Sequence, residues 1–196
     1  MDEIEIIIDR DGTVRFFAYC LRTDSWHDYK AFLAEAKQAQ DAGNHHAANR
    51  SLRAALLFFF AHMEGVLIHI CAEKKISDKG RLCDITKRVE AEAGKFDSDI
   101  VSLNFRLGKH LRDIVAHGGL TKEFEDEHGQ KETLTQDSVF EKLSVVTLEG
   151  LEAIISPWLD RVCQALGVER FTDIQGRCKQ VAELLGEIGT VSRQEV

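Results

Sequence analysis

Three residues near the middle of the chain have side chains suited to chemistry on a phosphate ester. Arg112, Asp113 and His117 lie in one short run that Gly118 follows. An imidazole exchanges protons near neutral pH, and a guanidinium presents a fixed fork of donors to phosphate oxygens. We therefore assign His117 as a candidate acid or base and Arg112 as a candidate phosphate ligand. Asp113 is a candidate for orienting either of them.

The helix predicted from Ser98 to His117 places these residues on a face of unusual composition. At about 100° per residue, apolar side chains fall on one side and most polar ones on the other. The polar arc has positive charge in a chain whose net charge is −8, as expected for a local phosphate site. Its members are Arg106, Lys109, His110, Arg112, Asp113 and His117, with Phe105 and Ala116 among them.

The run from Arg112 to His117 resembles the signature of HEPN domains, which are helical bundles found in toxin, anti-phage and RNA-processing proteins. That signature is an arginine, a polar residue directly after it and a histidine about five positions on, near a helix end. Arg112, Asp113 and His117 match these positions, and Gly118 follows. The resemblance covers roughly residues 47–119 and, loosely, the helix after Gln136.

The resemblance implies metal-independent endoribonuclease activity, by attack of a ribose 2′-OH on the neighbouring phosphate, in the toxin or defence component of a bacterial system. It assigns Arg112, His117 and Asp113 to catalysis, and we expect Lys109, His110 and Arg106 to bind substrate. It also favours a homodimer and an antitoxin partner. On an ideal helix Arg112 and His117 point about 140° apart. They would therefore converge only if the helix end unwinds at Gly118 or if two copies build one cleft.

Other interpretations stay open. The same bundle is compatible with a non-catalytic module that binds RNA, nucleotide or a partner, or with a purely structural dimerisation domain. A histidine in the last turn of a helix is favourable through the helix dipole alone, and Arg112-Asp113 is also compatible with a solvated surface pair. Glu64, within an apolar run, is expected to need a partner. We predict an ion pair with Arg112 or Arg53, or a supporting role at the site.

Composition favours an all-α helical bundle, which the resemblance makes HEPN-like, and the sequence adds an N-terminal β-hairpin. The single proline and the hydrophobic fraction of 44% suit long helices around a core. Alternating isoleucines before Asp11-Gly12 predict a hairpin over residues 1–22 that packs on a single helical domain, 23–196. The net charge argues against coating polyanions through a bulk field.

The predicted helices run from Ser25 to about Ala42, from His45 to Lys74, from Leu82 to Ala93 and from Ser98 to His117. The charged segment Thr121–Thr135 is expected to be a mobile loop or a solvated hairpin. A long helix from Gln136 is expected to kink or restart at Pro157, and a last one spans Phe171–Gly186.

The cysteines are five in number and none are in a C-x-x-C pair, which favours reduced thiols in a cytoplasmic protein. His62 and His69 are expected to make core or interhelical hydrogen bonds rather than to bind metal. No sequence pattern indicates a metal site or a cofactor, and the most apolar stretch, Ala54–Ile70, is too polar for a confident membrane span.

Overall fold

Six helices and two antiparallel strand pairs make up the described part of the chain. The computed structural model describes residues 3–8, 14–94, 99–118, 120–126 and 128–172. The mostly helical expectation is confirmed. The elements are β1 Glu3–Ile8, β2 Val14–Tyr19, α1 Leu21–Asp41, α2 His45–Lys74, α3 Leu82–Ala93, α4 Asp99–His117, β3 Lys122–Glu125, β4 Lys131–Leu134, α5 Gln136–Lys142 and α6 Val145–Leu166.

Helix α2 is the central element, as its apolar residues predicted, and it contacts α1, α3, α4 and α6. Its predicted bounds are confirmed. Asn44 caps its first turn by accepting from the backbone N–H of Ala47, and Lys75 ends it in the left-handed conformation. By length and composition α2 is also the one described helix able to cross a bilayer, but 56% of its most apolar window is buried inside the bundle. The core helix of a globular bundle has the same property.

Helix α1 begins one turn earlier than predicted. Cys20 is its N-cap, and the carboxylate of Asp24 accepts from the Cys20 backbone N–H at 2.5 Å. Ser25, where the helix was predicted to begin, is fully buried inside the helix. The side chain that satisfies the start of the helix is that of Asp24.

The hairpin that packs on the helices is β3–β4, not the N-terminal one as predicted. β3 contacts α4, and β4 contacts α5. Phe124 and Leu134 bury their side chains in the core, which holds the hairpin against the bundle. β1 and β2 pair with each other from Glu3↔Tyr19 to Ile8↔Val14, and their predicted turn, residues 9–13, lies outside the described residues.

The helical segment after β4 is interrupted at a different point from the one predicted. α5 begins at Gln136 as expected but ends at Lys142, and Ser144 caps α6 by accepting from the Thr147 N–H at 3.1 Å. Pro157 then lies inside α6 without ending it. The buried residues that follow, Trp158 and Leu159 among them, keep the helix in place despite the lost backbone hydrogen bond.

The last predicted helix, Phe171–Gly186, falls almost entirely outside the described residues. Phe171 and Thr172, its first two residues, are described and are not helical.

A buried polar cluster joins the segment after α6 to α1 and α2. His62 is fully buried, and its Nδ1 donates to the backbone carbonyl of Arg22. Its Nε2 accepts from Nε of Arg170 at 3.0 Å, and Arg170 also donates to Asp160 at 2.8 Å. This confirms the hydrogen-bonding role predicted for His62, and the two partners fix its neutral tautomer.

Candidate functional site

Helix α4 lies unusually close to α2 and α6 at Gly108. A Cβ at this glycine would come within 2.9 Å of the Phe60 ring and 3.1 Å of a Leu151 methyl group. Phe105, one turn earlier, packs on Phe60 with ring centroids 5.9 Å apart and is only 6% exposed. The polar arc predicted for α4 is therefore interrupted, because Phe105 belongs to the core.

Three cations converge on the carboxylate of Asp113. Lys109 donates a hydrogen bond to its Oδ2 at 2.8 Å, one helical turn away. Nε of Arg112 lies 3.4 Å from Oδ1, and Nζ of Lys122, from β3, lies 3.6 Å from Oδ2. The single negative charge of Asp113 is thus shared by three positively charged side chains. We name the surface formed by Arg106, Lys109, Arg112 and Lys122 the α4–β3 basic surface.

Asp113 is buried rather than displayed on an open face, since the residue is 8% exposed. Burial alone raises the pKa of a carboxyl group. Here the hydrogen bond and charge of Lys109, with the charges of Arg112 and Lys122, outweigh burial and hold the pKa of Asp113 below its usual value. The carboxylate therefore stays ionised at neutral pH. It orients Lys109 and Lys122, and none of its described polar contacts is with His117.

Arg112 is partly covered, with its side chain 21% exposed. Its guanidinium carbon lies 5.8 Å from the centroid of the Phe60 ring, a distance typical of a cation–π contact. Its Nε is within ion-pair distance of Asp113 but makes no hydrogen bond to any described residue. The guanidinium is therefore anchored on one side and retains donors for a ligand on the other.

His117 is exposed at the C-terminal end of α4. The helix does not unwind before it, because the N–H of Gly118 still bonds to the carbonyl of Ile114 at 3.0 Å. Gly118 then turns the chain with φ +52°. Five residues of α-helix separate Arg112 and His117 by about 7.5 Å along the axis. Within one chain the two side chains therefore do not converge.

Glu64 forms no ion pair with Arg112 or Arg53 in the described structure, so the predicted pairing is wrong. The reason is the antiparallel packing of α2 and α4. Phe60 packs against Gly108, and Arg53 lies with Ile114 in one small depression. Glu64 and Arg112 therefore lie on opposite sides of this crossing along the helices, and Arg53 instead lies over the Phe140 ring.

A cavity of about 400 Å³ opens beside Asp113 between α3, α4, β3 and α6. Its lining combines five lysine and arginine side chains with a single acid, a histidine, a cysteine and two aromatic rings. We name it the α3–α4–α6 cavity. The residues are Arg81, Cys83, Thr86, Lys87, Glu90, Phe105, Arg106, Lys109, His110, Lys122 and Trp158.

The predicted substrate-binding residues Arg106, Lys109 and His110 all line this cavity. Burial, together with the charges of Lys109 and Lys122, lowers the pKa of His110, so its ring is neutral at pH 7. Arg112 and His117 do not line the cavity. The structure thus divides the predicted site into a cavity and the exposed end of α4.

Two residues of the candidate site were not identified from the sequence. Lys122 starts β3 within the segment predicted to be a mobile loop or a solvated hairpin; the segment is a hairpin, and Lys122 completes the cluster around Asp113. Trp158 follows Pro157 and forms part of the cavity wall. Tryptophan often lies where its ring is buried and its N–H meets a polar group. Nothing in the sequence, however, relates Trp158 to α4.

Nothing among known protein-family models, curated proteins or solved structures matches this chain. The resemblance to HEPN domains therefore depends on the sequence pattern alone and stays a prediction. Among the described residues, no group of three or more histidine, cysteine, aspartate or glutamate side chains is placed to hold a metal ion.

Proposed function

We propose that the protein binds RNA, with backbone phosphates on the α4–β3 basic surface. The observation that carries this proposal is the charge imbalance around Asp113. Lys109, Arg112 and Lys122 share that one carboxylate. Arg106 is exposed beside them and forms no ion pair with any described residue.

The physical basis is ordinary phosphate recognition. Lysine and arginine side chains that neutralise phosphates release condensed counterions, which gives affinity that falls with salt. Arginine adds directional donors for phosphate oxygens. A small cationic surface suits a chain with a net charge of −8, because the acidic remainder disfavours nonspecific coating of nucleic acid.

Replacing Arg106 with glutamate is expected to weaken RNA binding about tenfold and to reduce the salt slope of binding by about 1. Arg106 is exposed and makes no ion pair in the described structure, so the fold should tolerate the change. Fluorescence anisotropy with a short labelled single-stranded RNA over a salt series measures both quantities.

Arg50→Glu is the matched control, because Arg50 is an exposed arginine in the groove between α1 and α2. It makes the same change in net charge at a place outside the basic surface. Equal losses of affinity in the two variants would contradict a binding surface on α4.

A second candidate function is metal-independent RNA cleavage, as the HEPN resemblance implies. The observation that favours it is the exposed His117 at the end of the helix that also carries Arg112. Since the two side chains diverge on one straight helix, the reaction would require a homodimer in which His117 of one copy meets Arg112 of the other.

An RNA cleavage assay in the presence of a chelator distinguishes the two candidate functions. An active protein should lose RNA cleavage in His117→Ala while keeping its RNA affinity, because among the described residues His117 makes no hydrogen bond or ion pair with the α4–β3 basic surface. Gel analysis of labelled RNA and binding by anisotropy give the two readouts. If the wild type and His117→Ala both bind RNA in a salt-sensitive way and neither gives a cleavage product, the result supports RNA binding and contradicts RNA cleavage.

A further inference from the structure

Two residues in the wall of the α3–α4–α6 cavity each have a buried polar atom that lacks a hydrogen-bond partner in the described part of the chain. One is the indole N–H of Trp158, a residue that is 1% exposed, and the other is Nδ1 of His110. Both residues line the cavity. A buried donor without an acceptor is unfavourable in the free protein, and a ligand that supplies an acceptor removes that penalty.

The charges around the cavity select the class of ligand. Arg81, Lys87 and Arg106 form no ion pair with any residue that the structure describes, and Lys109 and Lys122 share Asp113. The cations outnumber the acids even when Asp113 is counted with Glu90. A carboxylate would supply one negative charge, whereas a phosphate monoester carries about −1.5 to −2 at neutral pH. The phosphate fits the excess of cations better.

The aromatic walls indicate that the ligand also has an apolar part. Phe105 and Trp158 contribute rings to the lining, and burial of an apolar group against such rings adds affinity that a bare inorganic anion lacks. A volume of about 400 Å³ accommodates a small organic molecule.

We propose that the α3–α4–α6 cavity binds a small aromatic phosphate monoester. A phosphate oxygen accepts from the Trp158 indole N–H, the cations at the rim hold the remaining charge, and the apolar body lies along Phe105. This goes beyond RNA binding at the surface, because Trp158 lies beneath that surface, where the phosphates of a polymer do not reach.

Phenyl phosphate is the probe, with benzoate and inorganic phosphate as comparisons. The sequence has two tryptophans, and Trp26→Phe leaves Trp158 as the sole indole reporter. Trp26 packs on Tyr29 and His62, away from the cavity. We expect phenyl phosphate to change Trp158 emission saturably and to bind at least tenfold more tightly than either comparison compound. Absence of a saturable change, or equal affinity for benzoate, would overturn the proposal.

Trp158→Phe tests the buried donor directly, because it keeps a ring in the wall and removes the N–H. Calorimetric titration should show phenyl phosphate affinity about tenfold weaker than in the wild type, with Trp26→Phe unchanged. Lys87→Ala provides a second test at an exposed rim cation if Trp158→Phe does not fold, and it too should weaken binding. Lys131→Ala, on β4 and paired with Glu125, should not.

The same variants distinguish this proposal from RNA binding. Trp158→Phe is expected to bind labelled RNA as the wild type does, while Arg106→Glu loses RNA affinity. Unchanged phenyl phosphate affinity in both Trp158→Phe and Lys87→Ala would refute the cavity ligand without affecting the RNA proposal.

Discussion

Acidification from pH 6.5 to pH 4 is expected to lower the free energy of unfolding by about 3 kcal/mol through His62 alone. Burial lowers the pKa of His62 to about 4, with the nearby Arg170 charge acting in the same direction. The hydrogen bond to the Arg22 carbonyl and the charge of Asp160 oppose this shift but do not reverse it. The unperturbed value is ~6.5, and each pKa unit corresponds to about 1.4 kcal/mol.

The sign follows from proton uptake. Above pH 6.5 His62 is neutral in both the folded and the unfolded chain, so it contributes no pH dependence. Below pH 6.5 the unfolded chain binds a proton that the folded chain does not, which favours unfolding until the pH reaches the folded pKa. Protonation is unfavourable in the folded chain because the ring is buried, and because a protonated Nε2 would present a second donor to the guanidinium of Arg170, from which it now accepts.

Urea unfolding over a pH series, compared between wild type and His62→Gln, isolates this contribution. Carboxylates with depressed pKa values, Asp113 among them, lose stabilising charge at low pH in both proteins and cancel in the difference. We expect the variant to be less stable at pH 7 and the gap to narrow towards pH 4. A gap that is constant with pH would contradict a neutral buried His62, and an NMR titration of the ring gives its pKa directly.

The local elements predictable from the sequence are those whose ends are set by nearby residues. The apolar side chains of α2 predicted a central helix, and the structure shows why it begins at His45, because the Asn44 side chain caps its first turn. The restart predicted at Pro157 is wrong for a complementary reason. Local rules end a helix at proline, but α6 continues because Trp158 and Leu159 are buried by other helices.

The candidate site was predictable only as far as α4 extends. Periodicity placed Arg106, Lys109 and Arg112 on one helix with the correct sign of charge. The third cation beside Asp113 is Lys122, which comes from a strand whose register is set by pairing with β4. No helical wheel contains that partner. The error over Glu64 has the same origin, since the level at which α2 crosses α4 is set by the fit of Phe60 at Gly108.

Asp113→Asn is expected to have opposite effects on stability and on RNA binding. The asparagine keeps the size of the side chain but removes the charge that Lys109, Arg112 and Lys122 share. Breaking a buried ion pair costs ~3–5 kcal/mol. These cations reach solvent, with side chains 17%, 21% and 31% exposed, so we expect a loss of about 2 kcal/mol. Urea unfolding at neutral pH measures it.

The RNA affinity of the same variant should rise severalfold, and the salt slope should steepen by about 1, because one compensating negative charge is gone. Glu125→Gln is the matched control. Glu125 is an exposed carboxylate on β3, 3.8 Å from the exposed Lys131, and its loss should change stability by less than ~1 kcal/mol. Anisotropy under the conditions used for Arg106→Glu provides the comparison. Weaker RNA binding by Asp113→Asn would mean that the site needs the carboxylate, which holds the cations in position, whereas tighter binding would show that its charge competes with the RNA phosphates for these cations.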